Sequence, residues 1–427
     1  MTESTFKCSI SLFIYVLYLA VYWIIEFTKH SKRSVIDGSP QIPEKCVRLG
    51  KIIYSLKRIP EEICRREDFV TLDNGFAPVT ILKAGHWVLY TLDKRGAIFV
   101  ELSKPLREYT IDKYPFVCTP MFEEAQQVAE LSLESFIKFT KELEMVNDKP
   151  PHTLLFTNTA RCCSTLFGAM LNHPGYSMVI GEPHVLACLS IGYGEGYWSE
   201  RDMSTLLPAA MKAIRKDIPS DVLLVIKTES TEARLVGLLH RLMPEIQHIF
   251  MFRRGGLDSV DRMYLRDPRN AIIFRIYNFW PLLVTTVFGW LEAGQGVFAR
   301  KLQPSHNKEW AMLCWAAPYS YYLRFKDTFD FPLVLHKDLM KNPEETLRPI
   351  FEKLSIPLEC LPNALSCLDH DSQKGTFTSQ EVMKSIVATT MTPQLEKSLR
   401  RYAEHLKIPY EEVMGISCKS QYANGHC

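Results

Sequence analysis

The chain has 427 residues, 50 Lys+Arg against 48 Asp+Glu, a formal charge of +2 and 47% hydrophobic positions. A balance this near neutral, with no long block of like charge, excludes a charged disordered tail and a surface built to coat nucleic acid. At about 100–200 residues per domain, there is room for one large domain and a smaller companion.

Cys8 to Ile25 reads CSISLFIYVLYLAVYWII, carries no charge, and is closed by Glu26, Lys29, Lys32 and Arg33. At about 1.5 Å per residue it reaches roughly 27 Å, near the hydrocarbon thickness of about 30 Å, so a single-pass transmembrane helix is expected over residues 8–27. No small-x-small cleavage site follows the run, which argues against a cleaved signal peptide. Basic residues after it outweigh Lys7, which Glu3 opposes, and this favours a body facing the cytosol. No Asn is followed at +2 by Ser or Thr. Twelve cysteines are scattered without a CxxC pair, so no metal site is indicated. Residues 28–45, with Pro40 and Pro43, read as a stem.

Residues 46–150 read as a small mixed α/β region with a connecting helix. Trp87 to Leu92 and Ala97 to Leu102 are β-rich runs joined by Asp93, Lys94, Arg95 and Gly96, which predicts a hairpin. From Phe122 to Met145 the spacing of Val128, Leu131, Phe136, Phe139 and Leu143 predicts a helix.

Residues 151–415 read as the main α/β domain. Thr153–Thr157, Met178–Ile180, Val222–Lys227, Gln247–Phe252 and Leu333–His336 are short apolar strand-like runs with helical patterns between several of them. That alternation predicts a central, mostly parallel sheet covered on both faces. In TLLFTNTARCCSTLFGAMLNHPG, a strand passes through a compact loop into a helix from about Ser164 to Leu171. A strand's carboxyl end meeting a helix start is where such sheets bind anions, and Arg161, Ser164 and Thr165 stand there. The same residue types also serve as ordinary helix caps. The window lacks the glycine and lysine of G-x-x-x-x-G-K-[ST], which demotes a standard NTPase.

Arg161, Cys162, Cys163, Ser164 and Thr165, followed by His173 and Pro174, resemble the 5′-phosphosulfate loop of PAPS-dependent sulfotransferases, whose run is Arg-Ser-Gly-Ser-Thr. GEP at Gly181, Glu182 and Pro183 is similar to the family's Ser-Glu-Pro. HIFMFRRGGLDSVDRMYL resembles its 3′-phosphate segment, LVLHKDLM its Tyr-Glu-Asp-Leu strand, and DSQKGT its late closing loop. Three positions depart from the pattern. Cys163 replaces glycine, Asp261 stands eight residues after Arg253 where the family has serine, and Lys337 replaces the family's glutamate. Ser259 is the substitute for the missing serine.

The resemblance implies a P-loop-like three-layer domain that transfers sulfonate from 3′-phosphoadenosine 5′-phosphosulfate (PAPS) to a hydroxyl acceptor, a glycan among the candidates, without a metal. It implies Glu182 as base, His184 as second choice, and Lys227 as a weaker contact. It implies nucleotide contacts from Arg161, Cys162, Cys163, Ser164, Thr165, Arg253, Ser259, Ser372, Gln373, Lys374 and Gly375. Carbohydrate sulfotransferases of this type imply the Golgi lumen, in tension with the flanking charges. The competing reading is a catalytically inactive nucleotide-binding or scaffold protein at a membrane, favoured by Cys163 and Asp261. Ile272–Leu291 reads as a buried or acceptor-lining helix, and Tyr319, Tyr321 and Tyr322 read as either core or acceptor site.

Overall fold

The computed structural model describes residues 10–25, 42–43, 45–57, 62–143, 149–280, 295–376 and 378–416. These fall into two compact units. One takes the described residues up to His152 together with Ile180–Leu224; the other takes Thr153–Val179, 225–280 and the described residues from 295 onward. Up to residue 280 the described α-helices are, in chain order, α1 (10–25), α2 (Cys118–Glu123), α3 (Leu133–Glu142), α4 (Ser164–Met170), α5 (His184–Gly194), α6 (Glu200–Arg215), α7 (Val236–Leu242), α8 (Leu257–Arg266) and α9 (Pro268–Phe279), and further helices follow from Gly296 onward.

The first unit holds an antiparallel sheet in the order β2-β1-β5-β4-β3, formed by β1 (Cys46–Ser55), β2 (Phe69–Pro78), β3 (Trp87–Asp93), β4 (Gly96–Glu101) and β5 (Gln127–Leu131). The expected hairpin is β3–β4. Its turn is tied by Asp93, whose Oδ1 accepts the N–H groups of Arg95 at 2.8 Å and Gly96 at 3.0 Å. A Cβ on Gly96 would lie 1.8 Å from the Leu131 carbonyl oxygen, so only glycine fits there. α3, α5 and α6 cover the sheet through β3 and β4, whose residues are almost all buried.

The single helix expected over 122–145 is instead β5 followed by α3. Val128 and Leu131 belong to a strand paired with β1 and β4. Helix begins only after Ser132, whose hydroxyl caps it by accepting the Ser135 N–H.

The transmembrane expectation is not supported by the described residues. Among the described residues no helix is long and apolar enough to cross a membrane. α1, at about 1.5 Å per residue, is about 24 Å long. Its Leu12, Tyr15, Leu19 and Tyr22 are buried within the first unit. The Tyr18 hydroxyl donates to the Glu67 carbonyl at 2.8 Å, and Arg65 donates to the Tyr15 hydroxyl. Residues 8, 9, 26 and 27 of the expected span lie outside the described residues, as does nearly all of the stem.

The second sheet has the order β10-β9-β6-β8-β7, formed by β6 (Thr153–Asn158), β7 (Ser177–Gly181), β8 (Leu223–Lys227), β9 (Gln247–Phe252) and β10 (Val334–Leu335). Each of the five runs marked in the sequence contains a strand, though the last is only Val334–Leu335 with a helix starting at His336, and the fold is mixed α/β. β6 pairs with β9, and β10 with β9, in parallel. Every residue of β6 is buried, which fits a strand covered on both faces.

Behind β9 lies an aromatic stack from the helix Asn307–Arg324. Tyr319 lies over Phe252 at 4.2 Å and 12°, Tyr322 over Phe250 at 4.8 Å and 17°. These two tyrosines are core. Tyr321 instead accepts from Arg234 Nε at 3.0 Å. Within Ile272–Leu291, the described part continues α9 to Phe279, and residues 281–291 lie outside the described residues.

Candidate anion site

Because β6, β9 and β10 run parallel, their carboxyl ends share one edge of the second unit. β8 joins there too: Asn158 Nδ2 donates to the Thr228 carbonyl at 2.7 Å, and the Thr228 amide donates to the Phe156 carbonyl at 2.9 Å. The Thr159 amide donates to the Met251 carbonyl at 3.1 Å. The loop after β6 therefore emerges beside Arg253, the first residue after β9.

That loop is bent twice into the left-handed region, at Arg161 with φ 59° and at Cys163 with φ 70°. For residues with a Cβ this costs on the order of 1–2 kcal/mol each. Cys163 also precedes α4 without capping it through a side chain. The bends bury Cys162 and leave Arg161 and Cys163 half-buried.

Arg161 Nη1 donates to Gln373 Oε1 at 2.6 Å, and Gln373 Nε2 donates to Thr165 Oγ1 at 3.1 Å. Gln373 is positioned in turn by Asp371, which accepts its amide at 3.0 Å. Arg253 Nη1 donates to the Arg161 carbonyl at 3.4 Å. Arg161 Nε is buried and has no hydrogen-bond partner among the described residues. Burial and then the neighbouring Arg253 lower the Arg161 pKa, while Cys163 and Asp371 oppose that shift. Two half-buried guanidiniums with an unused buried donor suit a bidentate, doubly charged oxyanion such as a phosphate.

His336, which follows β10, completes the edge and was not singled out from the sequence. Burial and then Arg253 hold its pKa down to about 4, so it is neutral at pH 7. The signal available was its place at the end of a strand parallel to β9.

The other expected contacts divide. Ser164 and Thr165 begin α4 and are buried. Lys227 is buried at the end of β8 rather than solvated, and its charge acts on the Cys162 thiol, which burial pushes up to about 12. Within the late loop Gln373 reaches the arginine, Ser372 is half-buried, and Lys374 and Gly375 are exposed. Ser259 sits in the first turn of α8, where its amide donates to the Gly256 carbonyl at 3.0 Å. Arg254 is exposed and paired with Glu412 at 3.1 Å. Asp261, which stands where the family has serine, is fully buried, and its Oδ2 accepts the Thr389 amide at 2.6 Å. Lys308 holds the same residue by donating to the Thr389 carbonyl at 2.6 Å and to Asp258 Oδ1 at 2.6 Å.

Glu182 and His184 belong to the first unit. Glu182 has φ 52° and follows Gly181, where a Cβ would lie 2.2 Å from the Pro115 carbonyl oxygen. His184 is buried at the start of α5, with Nδ1 3.6 Å from Cys64 Sγ. Lys57 Nζ lies 3.5 Å from the same sulfur and 3.6 Å from Asp68 Oδ2. Burial opposes the His184 charge, but Cys118 and Cys64 outweigh it and raise its pKa. Burial likewise raises the Cys64 thiol, but Lys57 and His184 bring it below its ordinary value. One face of the His184 imidazole thus meets buried thiols, while a carboxylate oxygen of Glu182 lies within 4.8 Å of a ring nitrogen.

No family model and no curated protein matches the chain. Several solved structures show partial likeness. A sulfotransferase domain from the curacin biosynthetic pathway is 15% identical, with 61% of this chain and 99% of that one covered and a TM-score of 0.34. A sulfotransferase from Alicyclobacillus acidocaldarius is 11% identical, with 64% and 99% covered and a TM-score of 0.32. A mouse sulfotransferase complexed with PAP is 11% identical, with 69% and 97% covered and a TM-score of 0.27.

Proposed function

We propose that the chain transfers sulfonate from PAPS to a hydroxyl acceptor. The observation that carries the reading is the convergence of Arg161 and Arg253 on the loop after β6, with Arg161 Nε buried and unused. The order of motifs in the sequence supports it independently. Arg161 and Arg253 would hold phosphate oxygens through planar forks, with Gln373 and Thr165 fixing the first of them. In the transfer, the acceptor oxygen bonds to sulfur as the sulfur–phosphate oxygen bond breaks, and the acceptor proton passes to a base. Glu182 is the proposed base, on the sequence resemblance alone.

The test is calorimetric titration of the full chain with 3′-phosphoadenosine 5′-phosphate (PAP), beside Arg161→Ala and Arg253→Ala. Binding lost in both variants supports the site; a folded wild type that ignores millimolar nucleotide overturns it. Sulfonate transfer that persists in EDTA separates this reading from phosphoryl transfer, which uses a bridging metal. Nucleotide binding without transfer across an acceptor screen makes the chain a binding protein.

A further inference from the structure

We propose that α1 lies in the plane of a lipid bilayer surface, with its outward face in the acyl region and its inward face on the first unit. Ile10, Phe13, Ile14, Leu17, Val21 and Ile24 are 43, 67, 54, 53, 46 and 63% exposed. At 100° per residue these six positions fall within an arc of about 100°, while the buried Leu12, Tyr15, Leu19 and Tyr22 fall on the opposite side. A free interfacial helix turns a polar face to water. In α1 that side is occupied by the protein itself, through Tyr15 with Arg65, Tyr18 with the Glu67 carbonyl, and Tyr18 against Tyr54 at 5.7 Å.

The hairpin that Tyr18 touches through Tyr54 also carries exposed apolar side chains, Ile53, Tyr54, Leu72 and Phe76 of β1 and β2. With Val16 and Trp23, twelve of the twenty exposed large apolar side chains among the described residues lie on these three elements. Such a concentration marks a docking surface rather than scattered exposure.

A lipid surface fits it better than a second copy of the chain. None of the six stripe residues carries a charge or a hydrogen-bonding group, so nothing on the stripe would set register with a protein partner. Around it Arg95 is paired with Glu67 at 2.8 Å and Asp93 at 3.1 Å, and the excess of positive charge comes from the sequence after residue 25. Arg95 lies over the Trp23 ring at 5.3 Å, Lys51 is exposed on β1, and Lys29, Lys32 and Arg33 follow in the sequence. Tryptophan and cationic side chains around an apolar stripe match the headgroup layer of an anionic membrane.

The experiment is flotation of the full chain with preformed vesicles of phosphatidylcholine alone or with phosphatidylserine. Expected are co-flotation, strengthened at least ten-fold by phosphatidylserine, release by alkaline carbonate, and at least ten-fold loss of binding in Phe13→Glu/Leu17→Glu. These side chains are exposed, so the variant keeps the wild-type melting temperature; Phe13→Ser/Leu17→Ser is the milder pair. The proposal is overturned if the wild type stays unbound, or if either folded pair floats as the wild type does. Retention after carbonate would mean a spanning helix. Mass by light scattering that halves in the variant without vesicle binding would mean a self-association face. Either result overturns the in-plane seat.

Discussion

Asp261 Oδ2 accepts the backbone N–H of Thr389 at 2.6 Å inside the second unit. This carboxylate anchors a segment of chain 128 residues away rather than opposing a ligand. Asp261→Ala removes the acceptor from a half-buried amide and is expected to cost about 1–3 kcal/mol in urea unfolding. Asp261→Asn keeps an acceptor and should cost less. Equal losses in the two variants would show that charge, not acceptance, is what matters.

Arg161→Lys should lose nucleotide affinity nearly as completely as Arg161→Ala, because an ammonium cannot bond Gln373 and a phosphate in one plane. Gln373→Ala should weaken binding only a few-fold, since it acts through Arg161. Calorimetry on the three variants orders them; full affinity in Arg161→Lys would reduce the arginine to a diffuse charge.

Cys163→Gly should stabilise the fold by about 0.5–1 kcal/mol. The left-handed backbone at φ 70° costs a side-chain residue about 1–2 kcal/mol, and glycine's greater unfolded-state freedom takes back part of the relief. A shift of the urea midpoint upward with unchanged slope is the expected record.

Lys216 is buried in the first unit and donates to the carbonyls of Trp87, at 2.5 Å, and Leu82. Burial holds its folded pKa down to about 7 from an ordinary 10.5. Between those values the unfolded chain binds the extra proton, so the lysine's contribution to stability rises with pH through that window. Relative to Lys216→Met, the wild type should gain about 2 kcal/mol from pH 7 to pH 9. A flat difference would mean that the folded ammonium remains charged.

Strands were legible wherever a run was apolar enough to be covered on both faces, as in TLLFTN and LLVIK, and the Asp93–Gly96 turn announced its hairpin. The error at 122–145 arose because Val128 and Leu131 stand at helical spacing, whereas β5 buries residues on both of its faces and so shows no alternation, and the deciding partners in β1 lie about 80 residues earlier. α1 was legible as a helix, but not its seat, which depends on Arg65 and Glu67. At the site, Arg161 and Arg253 were readable from strand ends. The burial of Lys227, the anchoring by Asp261 and the contact of His184 with the Cys64 thiol depend on contacts across the fold, which no local pattern carries.

The stacked rings behind β9 give the arginine edge an optical signature. Phe252 directly precedes Arg253 and lies nearly flat against Tyr319, with Tyr322 and Phe250 in the next layer. Rings locked at such angles couple their transitions asymmetrically, so near-ultraviolet circular dichroism follows the rigidity of the scaffold that carries Arg253. A nucleotide that stiffens this edge should deepen that signal, even before any turnover can be measured.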